Sequence, residues 1–286
     1  MSVYRPRWRS LLYVPVTSER FVGKAHERGA DAIILDLEDA VAPSEKERAR
    51  GLVAESAQRV GQQGADVLVR VNRPWRLAVP DLEAAIGPGV RGLVLPKTDS
   101  AEHVLAIAEV VATLEEERGL QVGHTVFFPR IERPKGVLNA AEICAASTRI
   151  VAVGLGSSDY TISTGMAAGG TGNAIASFVV VNAAHAAGIV PLGLTGAIVD
   201  FGDLDAFRRI AEESRALGLR GAPCVHPSQV PILNEVFSPT PEELERARRI
   251  VEEYERALAR GQGAITVDGD FVDIPFYEQA KRLLAG

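Results

Sequence analysis

TVFFPRIE (residues 125–132) and RIVAVGLGSSD (residues 149–159) each carry an apolar run onto a carboxylate. As two buried parallel strands they would present Glu132 and Asp159 at one edge of a sheet, because parallel neighbours carry their C-terminal ends on the same side. Two acidic oxygens converging there make a hard-cation site. Mg²⁺ suits it, since that ion takes one or two protein carboxylates and leaves its other positions to water and substrate. Taken singly, each acid reads as well as a solvated loop residue or a helix cap, so the pair is judged by its company.

Working outward, short Val/Ile/Leu-rich runs alternate with longer amphipathic stretches. Eight runs stand out: SLLYVP (10–15), AIILDLE (32–38), VLVRVN (67–72), GLVLPK (92–97), the two already quoted, VPLGLTG (190–196) and APCVHP (222–227). Helical patterns such as DSAEHVLAIAEVVATLEEERG lie between them, several opening on Ser or Asp and closing on Gly as helix caps require. Strand and helix alternating eight times is the pattern of a (β/α)8 TIM barrel. A doubly wound open sheet is the alternative, because alternation does not show closure. The Gly-rich MAAGGTGN (166–173) lacks the lysine of a phosphate-binding P-loop and reads as a mobile loop before a helix. Beyond the eighth run the texture changes to a charged, capped helix, a short hairpin turning on Asp268-Gly269, and a last helix. The expectation is a catalytic barrel over 1–236 and a C-terminal helical lid or arm over 237–286.

The 286 residues suit one barrel of about 250 residues plus that extension. A formal charge of −6 without a basic terminal run argues against nucleic acid or an anionic membrane as main partner. No apolar run approaches the roughly 20 residues of a membrane span, and no apolar segment follows the charged N-terminus as in a secretory signal, so a cytoplasmic protein is expected. Cys144 and Cys224 read as free thiols without a catalytic role.

In a barrel the functional residues come from the C-terminal strand ends and the loops after them. Those ends hold Tyr13, Asp36, Glu38, Asp39, Arg70, Asn72, Lys97, Glu132, Asp159, Thr195 and His226. VLVRVN sets Arg70 among buried positions, where an unpaired charge is costly, so a partner or a ligand anion is expected there; the planar guanidinium suits a carboxylate. Asp36 reads as a scaffold partner for Arg70 or Lys97, while Glu38 and Asp39 could hold metal-bound water. His226 has no second His or Cys at ligand spacing, which argues against zinc, and no GxSxG nucleophile is present.

RSLLYVP, GADAIILDLEDAVAPSEKERAR, VRVN, LPK, RIE with KGVLNAAEI, GLGSSDY, CVHPSQV and DGDFVDIP together resemble the citrate lyase β-subunit-like proteins of the HpcH/HpaI aldolase superfamily, relatives of malyl-CoA and citramalyl-CoA lyases. The resemblance runs in order over nearly the whole chain. It implies a Mg²⁺-dependent (β/α)8 barrel, usually a homo-oligomeric trimer, that cleaves or forms a carbon–carbon bond between an acyl-thioester and a 2-oxo acid. By position it puts the metal on Glu132 and Asp159 and the substrate arginine at Arg70. It puts coenzyme A contacts on Tyr13, Arg20 and Lys24, with further basic positions Lys46 and Arg50, and a C-terminal acid supplied across a subunit interface at Asp273. Two departures stand out: the family's PG after the first strand is Pro15-Val16 here, and its ET at the metal glutamate is Glu132-Arg133.

The chemistry expected is retro-Claisen cleavage of a β-hydroxyacyl-CoA to an acyl-CoA and a 2-oxo acid, or the reverse. Metal on Glu132 and Asp159 would polarise the hydroxyl and adjoining carboxylate, Arg70 would stabilise charge developing on oxygen, and Asp273 would move the proton at the enolate carbon. The rivals are a CoA-independent aldolase for 4-hydroxy-2-oxo acids and a non-catalytic acyl-CoA-binding subunit.

Overall fold

The structure, a computed structural model, describes residues 4–167, 171–196 and 202–285. Eight parallel strands follow one another around a sheet: β1 (Ser10–Pro15), β2 (Ala32–Asp36), β3 (Asp66–Arg70), β4 (Gly92–Leu95), β5 (Val126–Ile131), β6 (Ala152–Leu155), β7 (Val190–Pro191) and β8 (Ala222–Cys224). Each pairs with its sequence neighbour up to β7, and β8 returns to pair with β1. The remaining gap is bridged by two backbone hydrogen bonds: Arg220 N–H donates to the Pro191 carbonyl at 2.9 Å, and Gly193 N–H to the Gly221 carbonyl at 2.8 Å. The ring is therefore closed, as a (β/α)8 barrel requires, and the open doubly wound sheet is set aside.

The alternation of strand side chains builds two cores. Leu11, Ala32, Ile34, Leu68, Val126, Phe128, Ala152 and Leu192 fill the interior with Trp8. Their sequence neighbours Leu12, Ile33, Leu35, Val67, Val69, Phe127 and Val153 pack outward under the helices. Phe127 and Phe128 are fully buried on opposite faces of β5, and cutting either to alanine costs on the order of 3–5 kcal/mol. Continuing the inward parity toward the C-terminal ends leads from Leu11 to Tyr13, from Ile34 to Asp36 and Glu38, from Leu68 to Arg70, and from Phe128 to Arg130 and Glu132. The interior thus passes from hydrocarbon to charge along each strand.

Most strands stop short of their apolar runs, by two residues at β2, β3 and β4 and by more at β7 and β8. β7 stops at Pro191, because Gly193 leaves the extended region with φ of 142°. β8 stops at Cys224, because Pro227 opens a 3-10 turn. Within the Gly-rich stretch 166–173, residues 168–170 lie outside the described residues.

The chain divides into two compact units, residues 1–237 and 238–286. The second contains the helix Pro241–Leu258, a hairpin of β9 (Ile265–Val267) and β10 (Asp270–Val272), and the helix Ile274–Ala285. Thr240 and Glu243 form a reciprocal capping box at the first helix. The hairpin turns on Asp268 and Gly269, both at positive φ as a type I′ turn needs. Its own small core gathers Ala247, Ile250, Tyr254, Val267, Val272 and Ala280, with Tyr254 stacked on Tyr277 at 4.9 Å.

Candidate active site at the barrel mouth

Glu132 follows the last residue of β5, and Gly156 follows the last residue of β6, the strand paired with it. The Glu132 side chain lies against Gly156: a Cβ added there would stand 2.8 Å from its Oε1 and closer still to its Cγ. Only glycine makes that approach possible. One carboxylate oxygen, Oε2, accepts the Lys97 backbone N–H at 2.8 Å. Lys97 offers that N–H from a left-handed backbone with φ of 49°, an uncommon conformation for a side-chain-bearing residue and one that recurs at functional sites.

Asp159 does not end a strand. It sits in the first turn of the helix Ser157–Thr164, four residues beyond β6, and still lines the same cavity as Glu132. That cavity, about 170 Å³, is bounded by Tyr13, Arg70, Arg130, Glu132, Asp159 and the loops after β6, β7 and β8. Burial, opposed by Arg130 and reinforced by Asp159 and Glu38, pushes the Glu132 carboxyl up from 4.5 to about 7. A divalent cation held between Glu132 and Asp159 would favour the ionised form that burial and the neighbouring carboxylates disfavour. Among the described residues no group of three or more His, Cys, Asp and Glu is placed to hold a metal. Two carboxylates with an open side are a donor set that fits Mg²⁺ rather than a closed zinc site.

Because the folded pKa of Glu132 lies above its unfolded value, its contribution to stability without metal is fully present below about pH 4.5 and is lost as pH rises through 7. Relative to Glu132→Gln, the metal-free protein is therefore expected to lose on the order of 3 kcal/mol between pH 4 and 8. Mg²⁺ needs the ionised form, so the rise in melting temperature it causes should grow from pH 5 to 7 and then level off. Calorimetry across that range, with and without Mg²⁺, checks both slopes; a metal-induced shift independent of pH would place the ion elsewhere.

Arg70, the last residue of β3, is held on three sides. Its Nε and Nη2 donate to the two Asp36 oxygens at 2.7 and 2.6 Å, its Nη1 stands 3.0 Å from Glu38 Oε2, and its guanidinium lies 4.7 Å over the Tyr13 ring. Burial works against its charge, yet the bond to Asp36 keeps its pKa above the ordinary guanidinium value. Glu38 also receives Lys97 Nζ, and burial outweighs these cations to raise its pKa. Asp39 is exposed, 3.4 Å from the same Nζ.

The basic positions divide differently. Arg20 and Lys24 are exposed on the helix Glu19–Ala25. Lys46 is spent inside the barrel unit, its Nζ donating to the carbonyls of Leu37 and Glu38 and to Asn72 Oδ1. Arg50 is spent on buried Asp81, Nε to Oδ1 at 2.7 Å. Arg133, the departure beside Glu132, pairs instead with Asp99 and the Lys97 carbonyl. His226 is exposed, Nδ1 against Ser228 Oγ at 2.7 Å. Asp273 belongs to the second unit, where its backbone carbonyl accepts from Tyr277 N–H and its Oδ1 has no hydrogen-bond partner among the described residues. Both thiols are buried, which pushes each up to about 12.

One charged cavity residue escaped the sequence reading: Arg130, next to last in VFFPRI. The signal was present, since it stands two before Glu132 and hence on the same inward row.

Residues 9–227 match the HpcH/HpaI aldolase/citrate lyase family. The chain is 34% identical over 282 residues to the citrate lyase subunit beta of Escherichia coli K12, covering 97% of this chain and 92% of that protein. It is 32% identical over 299 residues to an L-malyl-CoA/beta-methylmalyl-CoA lyase of Cereibacter sphaeroides, covering 96% and 93%. The crystal structure of the protein CitE from Mycobacterium tuberculosis in complex with magnesium, acetoacetate and coenzyme A superposes with a TM-score of 0.76 at 26% identity, covering 96% of both chains. Among the described residues no helix is long and apolar enough to cross a membrane.

Proposed function

The chain belongs to the HpcH/HpaI aldolase/citrate lyase family, and we propose that it is a Mg²⁺-dependent carbon–carbon lyase converting a β-hydroxyacyl-CoA to an acyl-CoA and a 2-oxo acid, or joining the two in reverse. The observation that carries this reading is that the carboxylates Glu132 and Asp159 line one small cavity together with Arg70 and Arg130. Mg²⁺ held there would supply Lewis acidity to the oxygens of the substrate. Glu132, fixed by Lys97 N–H and Gly156, and Asp159, fixed by its helix, hold the ion. Arg70 is kept in one orientation by Asp36, Glu38 and Tyr13, and turns its remaining N–H groups toward negative charge developing on oxygen. Excluding bulk water from so small a space strengthens each of these interactions.

Asp273 is the acid assigned to the enolate carbon, giving it a proton on cleavage and taking one from the acyl methyl on condensation. Its unpartnered Oδ1 supports that role. Coenzyme A is assigned to Tyr13, Arg20 and Lys24; the exposure of Arg20 and Lys24 suits a phosphate-bearing ligand, whereas Lys46 and Arg50 have their donors engaged within the protein. The assembly assigned is a homo-oligomer, a trimer by the family resemblance; an interface between chains is supported by an apolar stripe, since Ile175, Phe178 and Val179 recur at helical spacing and are 65%, 53% and 42% exposed, with Leu138 exposed as well.

The reading is tested by incubating the protein with Mg²⁺ and a panel of acyl-CoAs and 2-oxo acids and identifying products by mass. Turnover of free 4-hydroxy-2-oxo acids with no acyl-CoA bound would instead establish the CoA-independent aldolase. Arg70→Lys keeps the charge and loses the fork. It is expected to lower kcat about 100-fold, the scale of removing one preorganised donor from a developing oxyanion. Unchanged kinetics in a variant that melts normally would remove Arg70 from the chemistry.

A further inference from the structure

Arg70 and Arg130 both face the cavity, and their surroundings differ. Arg70 has two carboxylates of its own. Arg130 is slightly more buried, its side chain 11% exposed against 14% for Arg70, and its nearest acid is Glu132, whose Oε1 stands 4.0 Å from Nε with no hydrogen bond between them. Its Nε and Nη1 are buried without any hydrogen-bond partner among the described residues. The guanidinium is positioned nonetheless. It lies 5.4 Å over the Phe128 ring, and across Gly154 of β6, where a Cβ would come within 3.0 Å of Nη1. A buried guanidinium left unpaired costs several kcal/mol, so a group held in place this way and turned to a cavity calls for an anion. Glu132 cannot be that anion once its charge is shared with a metal ion.

We propose that Arg130 is the carboxylate anchor of the site: it binds the carboxylate of the 2-oxo acid, leaving Arg70 to the oxygen of the thioester half. This assignment rests on the lyase reading above and names how that site recognises its acid substrate. The size of the space agrees. About 170 Å³ is well below the roughly 300–1,000 Å³ that drug-sized ligands occupy, so it takes a small oxo acid and leaves the nucleotide of coenzyme A outside. Recognition by a planar fork explains why the position is an arginine rather than a lysine. Arg130 also sits on the strand that leads directly into Glu132, so the groups proposed for acid and metal are placed by one rigid element.

The test is titration calorimetry on the Mg²⁺-saturated protein with pyruvate and with oxalate as a non-reacting mimic. Arg130→Gln is expected to weaken both acids about 30-fold or more, in line with the loss of a charge-assisted hydrogen bond from a buried partner. Arg130→Lys should fall in between. In the condensing direction the KM for the oxo acid should rise while the KM for acyl-CoA holds. Mg²⁺ affinity measured without acid should not fall, because removing one cation beside Glu132 favours another. Arg130→Met, which fills similar volume against Phe128, serves if the glutamine variant fails to fold. Unchanged acid affinity in these variants overturns the assignment. So does a parallel loss of Mg²⁺ affinity, which would make Arg130 a brace for Glu132. If the wild-type protein with Mg²⁺ binds neither acid, the lyase reading itself fails and takes the anchor with it.

Discussion

Replacing Glu132 with glutamine is expected to cut Mg²⁺-dependent turnover by about 10³-fold or more while leaving the barrel folded. Lewis-acid stabilisation of a transition state is worth several kcal/mol, and each 1.36 kcal/mol is a factor of ten. Glutamine keeps the shape of the side chain and a carbonyl oxygen for the Lys97 N–H, so packing against Gly156 is preserved. What it removes is the charge, which burial already disfavours: the carboxyl pKa of about 7 says that ionised Glu132 is a burden on the metal-free fold. At pH 8 the glutamine variant should therefore melt at or above the wild-type temperature without metal, and the further rise on adding Mg²⁺ should vanish. Gly156→Ala reaches the same end from outside the carboxylate, because the new Cβ takes the space of the Glu132 side chain. Full activity of Glu132→Gln in Mg²⁺ after chelator treatment would move the metal site elsewhere.

The barrel was legible because its strands are buried on both faces and so read as near-continuous apolar runs, with charge appearing only where each strand reaches the rim. Closure was not legible. It depends on two hydrogen bonds around Pro191 and Gly221, between segments too short to carry a pattern. The carboxylates Glu132 and Asp159 were found from their places after apolar runs, although Asp159 sits on a helix: both positions are fixed by the end of the preceding strand, whatever follows it. Arg130 was missed although the reasoning applied to Arg70 covers it, a charge inside a buried run on the inward row. Which basic residues keep free donors could not be read at all. The engagement of Lys46 by main-chain carbonyls and of Arg50 by Asp81 depends on segments that only the fold brings together. The left-handed Lys97, whose N–H fixes Glu132, has no sequence signature, since such strain is set by the surroundings rather than by the residue.

Mixing two inactive variants should restore part of the activity if Asp273 serves a neighbouring subunit, and this is the second large effect expected. Asp273→Ala removes the group proposed to move the enolate proton, a contribution of about 10²–10⁴-fold for a positioned acid or base. Glu132→Ala removes a carboxylate proposed to hold the metal. In a homo-oligomer where each mouth draws its metal site from one chain and its acid from the next, co-assembly of the two variants gives some mouths an intact pair. For a trimer mixed in equal parts, chance assembly gives on the order of a quarter of mouths both components, an outcome of symmetry rather than of any new contact. The competing arrangement is local: Asp273 opens the helix Ile274–Ala285, with its carbonyl accepting Tyr277 N–H, and the residue could matter only for that helix start. Loss of a helix cap costs about 1 kcal/mol and would lower the melting temperature without separating catalysis by subunit. The two accounts therefore differ in a measurable way. Recovery on mixing, with a normal melting temperature for Asp273→Ala, assigns the acid to the neighbouring mouth. No recovery, despite subunit exchange shown by mass-labelled chains, assigns it to its own chain. A fall in melting temperature with activity retained reduces it to a helix start.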